Sequence, residues 1–370
     1  MREVSTDELS QLAAPDFAPA VGAVDVHAHI FPAGVPDLAA ETGDQRWPSL
    51  AVGDAGSGEG RIMCGPRVFR VVRPSLWDLR ARFAELDGAG IAAQLVSPVP
   101  VTMTYWADAD LAARYHRQLN DAIAREVSAS GGRLAGLGGV PLQDPGMAVA
   151  ELDRAVGQLG LRGVQIGSRI GDMELADPRL DPFFAAAAAR GAIVFVHPTD
   201  GGGGTIRRAG QPFDFGLGMT TDTAIAATAL VFEGVLARHP RLRVLLAHGC
   251  GTFPIAFPRL AIGALLTGQL DQAGFAALPD AVRRLRVDAL VFDPASLALL
   301  IERFGAEHVL LGTDDPFVPG QLRQAQEMVR KAASRGLISE SQAEAILGAN
   351  ARALLGRSAS AVDEARAADR

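Results

Sequence analysis

Residues 23–30 read Ala-Val-Asp-Val-His-Ala-His-Ile, an apolar run with strand character that carries two histidines spaced two apart. In a β-strand, the side chains at positions i and i+2 point to the same face of the sheet. We therefore expect His27 and His29 to project side by side. Neutral imidazole is a common ligand of divalent metals, so this strand is a candidate edge of a metal site.

Seven more short apolar runs follow, and segments with helical periodicity separate them. Continuous apolar runs are typical of parallel strands that are buried on both faces. Eight β-then-α units in one chain of 370 residues predict a (β/α)8 TIM-type barrel, with a doubly wound open sheet as the competing fold. The predicted strands are Ala23–Ile30, Ala92–Val96, Leu134–Leu137, Gly163–Ile166, Ala192–Val196, Arg243–Ala247, Arg286–Val291 and His308–Leu311.

Four segments depart from this alternation and define the expected domain organisation. Residues 1–20 are polar and contain prolines, which predicts an N-terminal arm ahead of a barrel formed by residues 21–356. Residues 31–75 are longer than an ordinary βα loop, and the glycine-rich stretch 56–60 within them predicts a small β-hairpin inserted after strand 1, over the barrel mouth. The four glycines at 201–204 predict a mobile loop, and the composition of residues 357–370 predicts a flexible tail.

Composition and charge exclude several classes of partner. The net charge of −7 argues against nucleic acid or an anionic membrane as a partner. No apolar run of about 18 residues is present, so we expect no membrane span. The start of the chain shows no secretory signal pattern, and two cysteines imply no disulfide framework, so we expect a cytoplasmic protein.

The residues that carry chemistry lie at the ends of predicted strands. His27 and His29 end the first strand, His197 follows the fifth, His248 follows the sixth and Asp314 follows the eighth. The carboxyl ends of barrel strands converge on one mouth, where the active sites of this fold lie. Several imidazoles with one carboxylate suit Zn²⁺, with Mn²⁺, Fe²⁺ and Co²⁺ as alternatives. The sequence therefore predicts a metal site at the mouth.

The number of ions follows from the lysine content. Binuclear sites in this type of barrel often use a carboxylated lysine on the fourth strand as a bridge. Here the fourth predicted strand, Gly163–Ile166, has no lysine, and the only lysine of the chain is Lys331, in a late helix. We therefore predict a single ion.

Together these positions resemble the amidohydrolase superfamily. Longer segments are similar to the 2-amino-3-carboxymuconate-6-semialdehyde decarboxylase (ACMSD)-like family, and the resemblance covers about residues 23–356. The segments that carry it are Phe69-Arg70 with Leu76-Trp77-Asp78, Val140–Asp144, Gly163–Gly167, His248–Phe253, Val291–Pro294 and Gly312–Phe317. The chain departs from the family pattern at Thr199, Cys250 and Asp315, which puts the exact substrate in question.

The resemblance implies roles for individual residues. The metal would be held by His27, His29, His197 and Asp314. His248 would be the catalytic acid/base, and Asp314 could move a proton as well as bind the ion. Arg70 would bind a substrate carboxylate. Arg259 would be a second carboxylate-binding arginine that reaches the site of the neighbouring subunit, which implies a homodimer.

The expected function is that of a carboxy-lyase. The resemblance implies a metal-dependent, non-oxidative decarboxylase that removes CO2 from a carboxymuconate semialdehyde or a related aromatic carboxylic acid. The alternatives are a metal-dependent hydrolase of a lactone, ester or amide, and a catalytically silent barrel that binds a partner. Two carboxylate-binding arginines favour the decarboxylase, because they suit a small-molecule dicarboxylate that loses CO2.

Overall fold

The computed structural model describes residue 17 and residues 21–53, 58–199 and 205–356. Its thirteen strands, in chain order, are β1 (Ala23–Ile30), β2 (Pro48–Val52), β3 (Gly60–Cys64), β4 (Arg67–Val72), β5 (Ile91–Pro98), β6 (Leu134–Gly138), β7 (Gly163–Gly167), β8 (Arg169–Ile170), β9 (Met173–Glu174), β10 (Ile193–His197), β11 (Arg243–Leu246), β12 (Arg286–Asp288) and β13 (Val309–Leu310).

The α-helices are numbered in the same way. They are α1 (Leu38–Thr42), α2 (Leu79–Ala89), α3 (Ala109–Ala129), α4 (Pro145–Gly157), α5 (Asp181–Ala189), α6 (Met219–Phe232), α7 (Val235–Arg238), α8 (Phe253–Leu266), α9 (Gln272–Val282), α10 (Pro294–Phe304), α11 (Gln321–Ser334), α12 (Glu340–Glu344) and α13 (Asn350–Leu355).

Eight parallel strands form the barrel, in the order β1-β5-β6-β7-β10-β11-β12-β13. The first and last strands approach each other, because the Val26 amide donates to the Leu311 carbonyl at 2.8 Å and a parallel bridge joins Ala28 to Asp315. The prediction of a (β/α)8 barrel is confirmed. Parallel pairing brings the carboxyl ends of all eight strands to one mouth.

The last two barrel strands are shorter than the sequence suggested. The strand predicted over Arg286–Val291 ends at Asp288, and the one predicted over His308–Leu311 spans only Val309–Leu310. The Ala289 amide still donates to the Leu310 carbonyl of β13 at 2.7 Å, and the backbone then turns away from the ladder, with the Leu290 amide donating to the Asp288 carboxylate at 2.9 Å. The apolar residues after Ala289, Leu290 and Val291, lie in a loop.

The insertion after β1 contains one strand more than the predicted hairpin. β2 and β3 are antiparallel, as expected, and β4 pairs with the other edge of β3 to give a three-stranded sheet. Apolar side chains of this sheet, Ile62 and Val72, pack with Phe31 at the end of β1 and with Val99 after β5. The insertion therefore lies against the mouth of the barrel.

One helical stretch, Asp214–Phe232, has 19 residues and is long and apolar enough in composition to cross a membrane. It is not a continuous apolar run, since it contains Asp214 and Asp222, and half of its apolar window is buried in the fold. Ala227 and Leu230 are fully buried in the main apolar core. A helix packed in this way belongs to the outer layer of a barrel.

Three predicted segments fall largely or wholly outside the described residues. These are the N-terminal arm of residues 1–20, of which only Phe17 is described, the glycine run 201–204 and the tail 357–370. The domain boundaries drawn from them stay predictions.

Candidate metal centre

Four side chains from three barrel strands converge at the mouth. His27 and His29 lie on β1, His197 is the last residue of β10, and Asp314 follows β13. Each is buried, and their ligand atoms all lie within 4.8 Å of one another. The sequence placed these four residues at one mouth, and the structure brings them together into a cluster that could bind a metal.

The distances within the cluster fit a shared cation. Asp314 Oδ1 lies 3.1 Å from His29 Nε2 and 3.7 Å from His27 Nε2. Donors at about 2.0–2.2 Å from one tetrahedral ion would lie about 3.3–3.6 Å apart. The Nε2 atoms of His27 and His197 are buried and have no hydrogen-bond partner among the described residues. Buried polar atoms are rarely left unpaired, so these nitrogens are available to bind a metal ion.

The other ring nitrogen of each histidine has an acceptor. His29 Nδ1 lies 3.2 Å from the Pro98 carbonyl oxygen, and His197 Nδ1 lies 2.9 Å from the Pro198 carbonyl oxygen. A carbonyl can only accept, so each Nδ1 carries the proton and each Nε2 keeps its lone pair. The backbone thus selects the tautomer that a metal needs.

His27 has a different acceptor, which the sequence reasoning did not single out. Its Nδ1 lies 2.7 Å from Asp288 Oδ2, and both side chains are fully buried. Burial lowers the pKa of His27, but the hydrogen bond and charge of Asp288 outweigh it, and the net shift is upward. The signal was present in the sequence, since an aspartate in an otherwise apolar predicted strand needs a partner.

Burial and mutual charge set the protonation of the other ligands. Burial lowers the pKa of His29 and, together with the neighbouring histidines, lowers that of His197 further. Burial opposes ionisation of Asp314, but the adjacent His29 imidazole and the charges of nearby histidines outweigh it and hold its pKa low. The carboxylate is therefore ionised and these two imidazoles are neutral, as ligands must be.

His248 lies beside the four ligands. Its ring centroid is 5.2 Å from those of His27 and His197, and neither of its ring nitrogens has a hydrogen-bond partner among the described residues. Burial, followed by the charge of His27, lowers its pKa to about 4. A neutral imidazole without a hydrogen-bond partner, next to a candidate cation site, can accept a proton from a bound molecule or return one to it.

The two arginines predicted from the resemblance lie in different places. Arg70 is exposed on β4, where its guanidinium donates to the Phe317 carbonyl oxygen at 3.2 Å and lies 4.9 Å over the Phe317 ring. That ring is 5.4 Å from the ring of His29, so Arg70 stands at the mouth. Arg259 is on the exposed side of α8 and has no hydrogen bond or ion pair with another described residue.

An open cavity adjoins the cluster, with His248 in its wall. Most of its lining is apolar and comes from the start of α6, from α8 and from the loop between β12 and α10. The Phe215 and Phe292 rings meet at 5.9 Å, and each is more than a third exposed. No charged side chain of the described residues lines this cavity. It is suited to the uncharged body of a small molecule whose polar end reaches the cluster.

The sequence profile of the amidohydrolase family matches residues 24–357 of this chain. Among curated proteins, the chain is 34% identical over 347 residues to 2-amino-3-carboxymuconate-6-semialdehyde decarboxylase of Dictyostelium discoideum, covering 90% of this chain and 91% of that protein. It is 27% identical to the protein of the same name from Caenorhabditis elegans, covering 81% and 86%.

Solved structures share the fold. The apo form of Metarhizium anisopliae IDCase superposes with a TM-score of 0.76 at 23% identity, over 90% of this chain and 97% of that one. A dihydroxybenzoic acid decarboxylase from Polaromonas, with bound manganese and the inhibitor 2-nitroresorcinol, superposes with a TM-score of 0.67 at 22% identity, over 90% and 96%.

Proposed function

The chain belongs to the amidohydrolase family, and from that premise we propose that it is a metal-dependent, non-oxidative decarboxylase. Its substrate is a carboxymuconate semialdehyde or a related aromatic carboxylic acid. The curated relatives described above are decarboxylases, and this supports loss of CO2 over hydrolysis of a lactone, ester or amide.

The observation that carries the proposal is the buried cluster with His248 beside it. Four candidate ligand atoms within 4.8 Å, two of them imidazole nitrogens without a hydrogen-bond partner among the described residues, support a single divalent ion. Zn²⁺ suits three imidazoles and one carboxylate, and Mn²⁺ is the first alternative because the Polaromonas structure contains it.

The reaction breaks one C–C bond and leaves an electron pair on the carbon that carried the carboxylate. An ion held by His27, His29, His197 and Asp314 would supply positive charge that polarises an oxygen of the substrate. The conjugated substrate takes up the electron pair, and the carbon then needs a proton. His248 is the group placed to take up a proton from water and pass it to this carbon, since it lines the cavity beside the cluster and neither of its ring nitrogens has a hydrogen-bond partner among the described residues.

The rest of the site orients the substrate. The uncharged body of the molecule occupies the apolar cavity between Phe215 and Phe292, where aromatic faces favour a planar ring or diene. Arg70 binds a carboxylate at the mouth with the guanidinium hydrogens that the Phe317 carbonyl leaves free.

The working unit in this proposal is a homodimer with Arg259 contributed across the interface. On α8, Arg259 shares one face with Ile255, Ile262 and Leu266, whose exposed fractions are 75%, 49% and 81%. An exposed apolar stripe of this kind supports a protein interface. Ile255 also lines the cavity, so a subunit bound there would lie next to a catalytic site.

The enzyme is proposed to act in the cytoplasm. Both cysteines, Cys64 and Cys250, are free thiols, which suits a reducing compartment.

The test is a direct comparison of products. Purified protein with one equivalent of Zn²⁺ or Mn²⁺ is offered a carboxymuconate semialdehyde, hydroxybenzoates and a panel of lactones and esters, while CO2 release and acid release are followed. We expect CO2 release from a conjugated acid, with loss of the semialdehyde chromophore.

Variants at the ligands complete this test. His197→Ala and Asp314→Ala should lose both the metal and the activity while keeping their helical circular dichroism. Acid release without CO2, or full metal content in both variants, would contradict the proposal.

A further inference from the structure

We propose that Asp288 is a positioning residue that fixes the metal ligand His27 and the loop of the acid/base His248 through a single carboxylate. The inference rests on the proposed function, because it assigns Asp288 a role in that reaction. Asp288 ends β12 and is fully buried; it is not among the four residues of the cluster, nor among the residues that line the cavity.

The carboxylate of Asp288 joins two parts of the site. Oδ2 accepts from His27 Nδ1 at 2.7 Å and from the His248 backbone amide at 2.8 Å. Oδ1 accepts from the Gly249 amide at 3.0 Å and the Leu290 amide at 2.9 Å. Because one oxygen atom holds both His27 and His248, the relative position of ligand and acid/base depends on Asp288.

The loop that carries His248 needs such an anchor. His248, Gly249 and Cys250 all have positive φ angles, of 56°, 60° and 65°. L-residues rarely adopt this left-handed conformation unless the surroundings hold them there. Two successive amides that point at one carboxylate form an anion-binding turn, which supplies that hold.

The same contact selects the tautomer of His27. An ionised carboxylate only accepts, so Nδ1 carries the proton and Nε2 keeps its lone pair for the ion. An asparagine at position 288 cannot satisfy both sides. With its amide oxygen toward His27, its NH2 group faces the amides of Gly249 and Leu290. With its NH2 group toward His27, the neutral imidazole must place its proton on Nε2 and can no longer bind the metal there.

The experiment compares Asp288→Asn with Asp293→Asn, a matched control five residues along the chain. Asp293 is an N-cap that accepts from the Ser296 amide, and asparagine serves equally well as an N-cap. Zn²⁺ affinity is measured by competition with a chromophoric chelator. The kinetic constants kcat and KM are measured at saturating Zn²⁺, and the tautomer of His27 is determined by ¹⁵N NMR of the imidazoles.

We expect D288N to bind Zn²⁺ about 10- to 100-fold more weakly, as is usual when the hydrogen-bond partner of a ligand is lost. At saturating Zn²⁺ its kcat should fall about tenfold or more with little change in KM, since His248 is displaced and the cavity is intact. Wild type should show the Nδ1–H form of His27, and D293N should match wild type throughout. If D288N does not fold, Asp288→Glu, which shifts the carboxylate by one methylene, should show the same losses.

Wild-type Zn²⁺ affinity and kcat in a folded D288N or D288E variant would overturn the positioning role and leave the proposed function intact. An Nε2–H form of His27 in the wild type would also overturn the positioning role, and it would remove His27 from the proposed ligand set. A wild type that binds no Zn²⁺ would overturn the proposed function, and the positioning role with it.

Discussion

At the scale of single residues, this chain uses buried histidine in two opposite ways. His27, His29 and His197 share a carboxylate and a space for a cation, whereas His116 in α3 is buried with no hydrogen-bond partner for either ring nitrogen among the described residues. Burial alone lowers the pKa of His116 to about 3. The same desolvation that keeps the ligands neutral for a metal makes His116 an acid-sensitive point in the fold.

That sensitivity has a definite sign. The pKa of His116 is about 3 in the folded protein and about 6.5 when unfolded, so between these values the unfolded state binds more protons. The free energy of unfolding therefore decreases as the pH falls below about 6.5, by up to about 1.4 kcal/mol per pH unit. The His116→Leu variant should be more resistant to acid than the wild type. Its urea midpoint should fall less than that of the wild type between pH 6.5 and pH 4.5.

The control for this prediction is His239→Leu. His239 is only partly buried and lies 3.1 Å from the Asp181 carboxylate, so this variant controls for the loss of a histidine that is not fully buried. An unchanged slope in His116→Leu would show that another group dominates acid unfolding.

His248 offers a second prediction at this scale. His248→Ala removes the neutral imidazole beside the cluster but none of the four ligands. We expect normal metal content and a loss of about 10²- to 10⁴-fold in kcat, the usual size of an acid/base contribution. Metal analysis and steady-state kinetics check this, and near-normal turnover would remove His248 from the mechanism.

At the scale of elements, the inserted three-stranded sheet is the feature that distinguishes the mouth of this barrel from that of a barrel without an insertion. Two arginines, one in β4 and one just after it, contact the segment that follows Asp314. Arg70 donates to the Phe317 carbonyl at 3.2 Å, and Arg73, just after β4, donates to Asp315 Oδ1 at 3.2 Å. The inserted sheet therefore contacts the loop that carries Asp314, and it also places the Arg70 guanidinium at the mouth.

We predict that Arg70→Ala mainly raises KM. A hydrogen bond to a charged group is worth about 1.5–3 kcal/mol, and Arg70 is exposed, so we expect the low end, a rise of about tenfold with kcat within about threefold. Arg67→Ala is the matched control, because Arg67 is also exposed and lies on the same strand. Equal KM values for the two variants would mean that Arg70 does not bind the substrate.

The comparison of sequence and structure is also clearest at this scale. The runs at β1, β5, β6, β7 and β10 identified barrel strands because burial on both faces leaves a continuous apolar sequence. The same apolar pattern made the predicted strand too long at β12, because residues 289–291 are equally apolar but pack in a loop. β4 escaped notice because Val68, Phe69 and Val71 are all about half exposed, so its sequence lacks a buried face.

The site was predictable to the extent that it depends on strand ends. His197 and Asp314 are more than a hundred residues apart, yet barrel topology alone brings them together. Asp288 could not be assigned in that way, because its role depends on which backbone amides the His248 loop turns toward it. The cavity could not be predicted either, because its walls are formed by side chains that come together only when α6, α8 and α10 pack.

At the scale of the whole molecule, two regions together hold seven of the thirteen large apolar side chains left exposed in the described residues. One is the inserted sheet, and the other is the stripe on α8 with Ile255, Ile262 and Leu266 around Arg259. The stripe adjoins the cavity through Ile255, so a second subunit seated on it would lie beside the proposed site. In a twofold dimer each subunit would then offer its Arg259 to the partner.

Mixed dimers test this arrangement. Arg259→Ala and His248→Ala should each be nearly inactive alone. If Arg259 acts across the interface, a heterodimer of the two variants contains one site with an intact His248 and an intact partner arginine. Random mixing makes half of the dimers mixed, so unfolding and refolding the variants together should restore about a quarter of wild-type activity. If Arg259 serves its own subunit, every site in the mixture lacks one of the two groups, and no activity should return.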